Sequence, residues 1–328
     1  MKHKIFIGLI VAAVLLSGCG GEDTDAVGED FEMMNIRLPM GYIPSVQYAP
    51  FYVAMEKGYF EEAGFELEFD YSFETDGIAL VGQGELPFAL VSGEQVLLAR
   101  EQDIPIVYVM AWFQDFPVAV VAKTESGITS PQDLIGKKVG MPIWGGANYI
   151  GLIAMLHAEG ISEADLVLET IGYNQVEALA TDQDAAVVVY SANEPVQLRA
   201  EGYDIVTFEV ADYVELTANG VITNETMIAE NPDAVRRFVS AVIKGVEDTI
   251  ADPEGAYETC FKYVEGLEQQ DREVQMEVLT RSIEFWKADM VGYAQASAWE
   301  NMQQVLLDTD LLSAPLDLDD AYTNQFVE

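Results

Sequence analysis

Apolar and polar positions alternate most clearly between residues 35 and 69. Asn35–Met40 is a strand-like run, and Gly64 stands where a glycine often ends a helix. Alternation from Phe65 to Phe69 predicts a second strand. Between the two strands, apolar residues recur at the spacing of a helix with one buried face, at Phe51, Ala54, Met55 and Tyr59. A strand, a loop, a helix and a strand in this order predict the start of a parallel sheet, where ligands bind beyond the carboxyl ends of the strands.

Strand-like and helix-like segments continue to alternate over the next part of the chain, and the chain is mostly helical after Asn231. Further strands are predicted at Leu86–Val91, Ile104–Ala111, Val118–Ala122, from Lys138, at Leu166–Ile171 and at Ala185–Tyr190. Helices are predicted after Ser92, near Ser130-Pro131, and at Tyr149–Ala158, Asn174–Ala180, Pro232–Ala251, Pro253–Val264, Asp271–Trp286 and Ala296–Asp308. This order predicts the α/β fold class.

The order of elements also predicts two lobes with parallel-rich sheets. The first lobe takes residues 35–121 and, with the C-terminal helices, 218–328; the second takes residues 122–217. The chain crosses between them twice, which predicts a hinge, and a crevice between two lobes is a natural ligand site.

The N-terminus has the features of an export signal. Lys2 and Lys4 precede the apolar run Ile5–Leu16, which is too short to span a bilayer. Residues 1–18 are therefore predicted to be a signal peptide. Leu16-Ser17-Gly18-Cys19 resembles the lipobox of bacterial lipoproteins, which implies cleavage before Cys19 and lipidation of its thiol; an ordinary signal with a chance cysteine is the alternative. Residues 19–34, polar and acidic, are predicted to be a flexible tether. The expected location is the extracytoplasmic side of the cell membrane.

The charge balance narrows the possible partners. The chain has 16 Lys and Arg against 56 Asp and Glu, a net charge of −40, which argues against nucleic acid and against electrostatic docking on anionic lipid. Half of the residues are hydrophobic, so a well-packed core is expected. Cys260 is predicted to be a core residue and His157 a surface or packing residue. The sequence shows no cluster of metal-ligand type, and no metal is expected.

Five segments resemble the substrate-binding proteins of ABC importers in the NMT1/THI5-like group. They are YAPFYVAMEKGYFEEAGFELEF, GQGELPFALVSGEQ, SPQDLIGKKVGMP, AAVVVYSANEPVQLRAEGY and NGVITNETMIAENPDAVRRFVSAVIKGVE. The resemblance implies a periplasmic-binding fold with a hinge, and an ABC permease with its ATPase as partners. The group carries the thiamine pyrimidine precursor, riboflavin and, more distantly, alkanesulfonates and nitrate.

The loops expected to face the crevice are rich in aromatic residues and poor in bases. The aromatic candidates for ligand binding are Tyr42, Tyr48, Trp112, Trp144, Tyr149 and Tyr190. The polar candidates are Gln47, Ser92, Gln95, Asn148, Asn193 and Glu194, with Phe113 and Glu94 beside them in the same segments. Broad ring faces favour a flat ligand held by stacking, and the polar groups can pair with ring nitrogens, carbonyls or hydroxyls.

Each candidate also has a structural alternative. Tyr48 could be only the first apolar residue of its helix, Trp112 a core residue, Ser92 a helix cap and Glu194 a solvated loop charge. Trp144 is the strongest candidate, because it stands in a glycine-rich loop after a predicted strand.

The scarcity of bases favours a neutral ligand. Sulfonate, nitrate and phosphate sites need Arg, Lys or several free N–H groups. Pyrimidine carriers of the group often have Trp and Asn around the proline of the first loop, where this chain has Tyr42 and Ser45. Riboflavin, larger and flat, is therefore favoured, and a thiamine pyrimidine precursor is the alternative.

Two other classes of protein compete with a carrier. Some members of the group synthesise the thiamine pyrimidine with their own histidine, a lysine-bound pyridoxal phosphate and iron. The matching segment here, GELPFALVSGEQVLLA, has neither His nor Lys, so we expect no enzyme activity and no cofactor. A sensory lipoprotein that works without a permease is the third class, and the sequence does not decide against it.

Overall fold

In the computed structural model, which describes residues 33–327, the chain opens with two parallel strands. Strand β1 (Met34–Gly41) pairs with strand β2 (Phe65–Phe73) along most of its length. This confirms the predicted parallel start. Met34 belongs to β1, so the predicted tether ends before it. The predicted signal peptide, the lipidation site Cys19 and the rest of the tether except Met33 lie outside the described residues.

The segment between these strands forms two helices where the apolar pattern predicted one. Helix α1 (Ala49–Glu56) ends before Tyr59, and α2 (Tyr59–Glu62) follows as a short separate helix. Gly58, between them, has a φ of 75°, a left-handed conformation that breaks the helix. Gly64, with a φ of 88°, ends α2 as predicted.

Two further sheets complete the β-structure. Their strands are β3 (Ala89–Val91), β4 (Ile106–Ala111), β5 (Val118–Lys123), β6 (Lys138–Met141), β7 (Val167–Thr170), β8 (Ala186–Tyr190), β9 (Ile205–Glu209) and β10 (Gly220–Asn224). One sheet has the order β3-β10-β4, and the other has the order β7-β6-β8-β5-β9. The strands from β5 to β9 thus share one sheet; the lobe boundaries near residues 121 and 218 stay a prediction.

The α/β class is confirmed, but the sheets are mixed and not parallel-rich. Strand β10 runs antiparallel to both β3 and β4, and β5 runs antiparallel to both β8 and β9. The sequence analysis did not include β9 or β10. The first strand of the five-stranded sheet along the chain, β5, lies beside the last, β9, and the two run in opposite directions. The apolar pattern of a strand does not fix the direction in which it pairs, so the mixture could not be read from that pattern.

The remaining helices cover the sheets and form most of the C-terminal part. They are α3 (Glu74–Gly82), α4 (Gly93–Glu101), α5 (Gly146–Ala158), α6 (Gln175–Ala180), α7 (Glu194–Ala200), α8 (Glu225–Glu230), α9 (Pro232–Ala251), α10 (Pro253–Cys260), α11 (Arg272–Trp286), α12 (Ala296–Asp308) and α13 (Leu318–Ala321). Helix α9 lies against α1 at Gly245, where an added Cβ would stand 2.2 Å from the carbonyl oxygen of Pro50.

The predictions for Cys260 and His157 are confirmed. Cys260 is fully buried, as expected of a core residue. His157 is exposed, and its Nε2 atom lies 3.3 Å from Oδ2 of Asp308. Among residues 33–327, no helix combines the length and the apolar character needed to cross a bilayer. Over the same residues, no group of three or more His, Cys, Asp or Glu side chains is placed to hold a metal ion.

Candidate functional site

A cavity of about 540 Å³ lies where the carboxyl ends of several strands converge. Its lining includes Met40 at the end of β1, Glu74 directly after β2, Trp112 after β4, and Tyr190 at the end of β8. Asn219 also lines it from the amino end of the antiparallel β10. The volume falls within the range of small-molecule sites, roughly 300–1,000 Å³.

The structure brings most of the predicted site residues to this cavity. Those that line it are Tyr42, Gln47, Tyr48, Gln95, Trp112, Trp144, Asn148, Tyr190, Asn193 and Glu194. Their contact with a ligand stays a prediction, but their convergence follows from the position of their loops after the strands.

Ser92 and Tyr149 do not line the cavity, and the hydroxyls of both are engaged by other groups. Ser92 is fully buried, and its Oγ lies within hydrogen-bond distance of Glu74 and Glu94. The Tyr149 hydroxyl donates to Glu163 at 3.0 Å. Each residue contacts one that does line the cavity: Ser92 contacts Glu74, and Tyr149 packs edge-to-face on Trp144.

Tyr48 and Trp112 form an aromatic wall that belongs to both the core and the cavity. Their rings are stacked, with centroids 5.2 Å apart, and each residue is only 4% exposed. The Tyr48 hydroxyl donates to the carbonyl of Met40 at 2.8 Å. The buried indole N–H of Trp112 has no hydrogen-bond partner within the described part of the chain.

Trp144 lies at the rim of the cavity and not in the core. It is 57% exposed, and its only close aromatic neighbour among the described residues is Tyr149, edge-to-face at 5.5 Å. Gly145, with a φ of 91°, turns the chain directly after it. The exposure excludes the core alternative and leaves the ring free to cover one face of a flat ligand.

The sequence analysis missed several lining residues. Glu74 and Tyr173 follow β2 and β7, and the rule that ligands bind at the carboxyl ends of strands could have found both. Asn219 precedes β10, which was itself not predicted. The other missed residues with polar or aromatic side chains are Phe73, Thr75 and Gln175.

The charge of the cavity wall comes from carboxyl groups. Among the described residues that line the cavity, none is Lys, Arg or His. Glu194 is 7% exposed, and it accepts hydrogen bonds from the Tyr190 N–H at 3.0 Å and from Asn193 Nδ2 at 3.1 Å. Burial raises the pKa of the Glu194 carboxyl to about 7.

A second carboxyl group, Glu74, is linked to Glu94 through Ser92. Ser92 Oγ lies 2.7 Å from Glu74 Oε2 and 2.5 Å from Glu94 Oε1. Glu74 and Glu94 interact closely, and burial, together with this mutual repulsion for Glu74, raises the pKa of both carboxyl groups. Burial therefore disfavours the charged forms of the carboxyl groups at this wall.

Comparison with known proteins gives a family match and several full-length relatives. The NMT1/THI5 like family model matches residues 45–256. The chain is 38% identical over 303 residues to the riboflavin-binding protein RibY of Chloroflexus aurantiacus, covering 90% of this chain and 86% of that protein. It is 27% identical over 336 residues to a formylaminopyrimidine-binding protein of Halalkalibacterium halodurans, covering 99% of each. A pyrimidine phosphate synthase of Legionella pneumophila is 21% identical over 297 residues, with 89% of this chain and 92% of the synthase covered.

Solved structures show the same fold at low sequence identity. The periplasmic aliphatic sulphonate binding protein of Escherichia coli superposes with a TM-score of 0.72 at 11% identity, covering 90% of this chain and 99% of that one. The alkanesulfonate-binding protein of Xanthomonas axonopodis gives a TM-score of 0.70 at 14% identity, covering 90% of this chain and 100% of that one. These matches confirm the predicted periplasmic-binding fold.

Proposed function

The chain belongs to the NMT1/THI5-like family, and we propose that it is the substrate-binding component of an ABC importer that captures riboflavin outside the membrane. Its homology to a riboflavin-binding protein and its periplasmic-binding fold support a substrate-binding role. The relatives named as binding proteins match at higher identity than the synthase does, which favours a carrier over an enzyme.

The observation that carries the proposal is a cavity with aromatic walls and no basic lining residue among those described. Tyr48 and Trp112, stacked on each other, form part of its wall, and Trp144 offers an exposed ring at the rim. The absence of a positive charge from this lining argues against a sulfonate, although sulfonate carriers share the fold. A neutral, flat ring system with hydrogen-bonding edges fits these walls.

The proposal is tested by titrating the purified mature protein with riboflavin and following the quenching of flavin fluorescence. Stacking against Trp144 and contact with the aromatic wall are expected to quench the flavin, with saturation at micromolar concentration or below. Alkanesulfonates serve as the control for the shared fold and are expected not to compete. Fluorescence that stays unquenched at micromolar protein would rule out riboflavin as the ligand.

The second candidate ligand is an aminopyrimidine. The buried carboxyl of Glu194, which has a raised pKa, can pair with the amino group and ring nitrogen of such a ring. One full-length relative is named as a formylaminopyrimidine-binding protein. Calorimetric titration with 4-amino-5-hydroxymethyl-2-methylpyrimidine separates the two ligands, because tighter binding of the pyrimidine than of riboflavin would reverse their order.

The membrane anchor and the permease are further parts of the proposal. The lipobox-like sequence that ends at Cys19 supports lipidation of this residue, which would hold the protein near a permease and its ATPase. Expressed in a bacterial host, the natural chain is expected to enter the detergent phase, and Cys19→Ser is expected to remain in the aqueous phase. Equal partitioning of the two forms would contradict a lipid anchor at Cys19.

The permease is tested separately. Loss of riboflavin uptake on deletion of a neighbouring permease gene would support an importer over a sensory protein.

A further inference from the structure

Glu74 and Asn219 place a hydrogen-bond acceptor beside a donor on the wall of the cavity. Glu74 Oε1 lies 3.4 Å from Asn219 Nδ2, and both residues line the cavity. The bond between them is long, so each atom can take a second partner. Trp112 belongs to the same lining, and its indole N–H lacks a partner within the described residues.

Other contacts fix the orientation of both groups. Glu74 Oε2 accepts from the Ser92 N–H at 3.2 Å and lies 2.7 Å from Ser92 Oγ. Asn219 Oδ1 accepts from the Tyr190 hydroxyl at 3.1 Å, so the amide nitrogen is the end that faces Glu74. The Asn219 backbone carbonyl accepts from the N–H groups of Trp112 and Phe113, each at 3.0 Å. Oε1 and Nδ2 are therefore the ends left for a ligand.

The contacts of Ser92 decide which carboxyl group carries the charge. A hydroxyl has one hydrogen, so Ser92 cannot donate to Glu74 and Glu94 at the same time. One of the two short contacts therefore requires a proton on a carboxyl group. Glu94 is fully buried, and its Oε2 has no partner among the described residues, so it is better suited to the neutral form. Glu94 Oε1 also accepts from Gln95 Nε2 at 3.3 Å, but both oxygens of Glu74 receive donors, from Ser92 and Asn219, which favours the carboxylate of Glu74.

We propose that Glu74 Oε1 and Asn219 Nδ2 bind one edge of the ligand ring, at which an N–H donor stands next to an acceptor. This inference rests on the proposed function and identifies the residues that select the ligand. The imide edge of a flavin presents this pattern, and the amidine edge of an aminopyrimidine presents it too. The aromatic side chains of the cavity would fix the plane of the ring, and Glu74 and Asn219 would fix its rotation within that plane.

The experiment compares riboflavin with 3-methylriboflavin, in which a methyl group replaces the imide hydrogen. The natural protein is expected to bind the methylated ligand about 10- to 100-fold more weakly, because a hydrogen bond to a charged group is lost and the carboxylate is left unpaired. In Glu74→Gln, the Ser92 donors hold the amide oxygen, so the NH₂ group takes the place of Oε1 and faces the ligand N–H. This variant is expected to bind riboflavin about 10- to 100-fold more weakly and to lose the preference between the two flavins.

Glu62→Gln, which removes an exposed carboxylate on α2, is the matched control and should keep the preference. Equal binding of the two flavins by the natural protein would overturn this inference and leave the proposed function standing. If only the aminopyrimidine binds and Glu74→Gln weakens it, the riboflavin proposal fails and the edge recognition stands. Binding of none of the three ligands would overturn both. The flavin comparison on the natural protein holds even if Glu74→Gln fails to fold.

Discussion

Tyr42 and Tyr173 meet edge-to-face at the cavity, with ring centroids 5.0 Å apart and an interplanar angle of 75°. Tyr42 follows β1, and Tyr173 follows β7 in a different sheet. Tyr173 is still 44% exposed, so the pair lies between the cavity and solvent. From this position we expect the contact between Tyr42 and Tyr173 to restrict the exit of a bound ligand.

Tyr173→Ala is expected to release the ligand faster. An edge-to-face pair is worth about 0.5–1.5 kcal/mol, so the dissociation rate should rise roughly 2- to 10-fold. Stopped-flow displacement of bound riboflavin measures this rate. Tyr293→Ala, at another exposed tyrosine that does not line the cavity, is the control. Unchanged dissociation in Tyr173→Ala would show that the tyrosine pair does not retain the ligand.

Trp144→Ala is expected to weaken binding without destabilising the protein. Trp144 is 57% exposed, so its removal leaves no internal cavity, and the melting temperature of the unliganded protein should change little. Loss of stacking and of buried area should weaken riboflavin binding at least ~10-fold. Trp286→Ala is the opposite case. This side chain is fully buried, and its truncation should cost about 3–5 kcal/mol of stability. A large drop in melting temperature for Trp144→Ala, with affinity intact, would contradict the proposed role.

The position of the cavity could be predicted because it depends on local patterns. Alternation in β2 and apolar runs such as β8 mark strands, and the loops after them are the ones that converge. Tyr42 and Asn193 were placed at the cavity by this rule alone. Burial was harder to predict, since the same loop position gives an exposed Trp144 and an almost fully buried Trp112.

The selective part of the site could not be predicted, because it depends on contacts between distant segments. Glu74 is one of 56 acidic residues, and nothing local distinguishes it from a surface charge. Its environment is set by Ser92 and Asn219, which lie 18 and 145 positions further along the chain. Asn219 reaches the cavity only because β10 runs antiparallel to its neighbours. That pairing is decided by the tertiary fold and not by the apolar pattern of five residues.

The stability of the unliganded protein is expected to fall as the pH rises from about 5 to about 8. Burial raises the pKa of Glu194 to about 7 and also raises the pKa values of the paired carboxyls Glu74 and Glu94, so the folded protein keeps protons that the unfolded chain releases above the ordinary carboxyl pKa. Unfolding therefore releases protons, and the free energy of unfolding decreases with pH in this window. Urea unfolding of the natural protein and of the double variant Glu94→Gln with Glu194→Gln, across this range, measures the effect. The variant should give a flatter profile, and an unchanged slope would place the titrating groups elsewhere.

Gly41→Ala is expected to weaken ligand binding by displacing Glu74. Gly41 has a φ of 82°, and an added Cβ would stand 2.9 Å from Glu74 Cγ. Gly84 is the matched control, because its φ of 75° is similar but no atom lies within 4 Å of an added Cβ. Both alanine variants should lose about 1–2 kcal/mol of stability from the left-handed backbone alone. Only Gly41→Ala should push the carboxyl group away from Ser92 and Asn219, and riboflavin affinity should fall about 10-fold in that variant. Equal affinities in the two variants would mean that the position of the Glu74 carboxyl does not matter for binding.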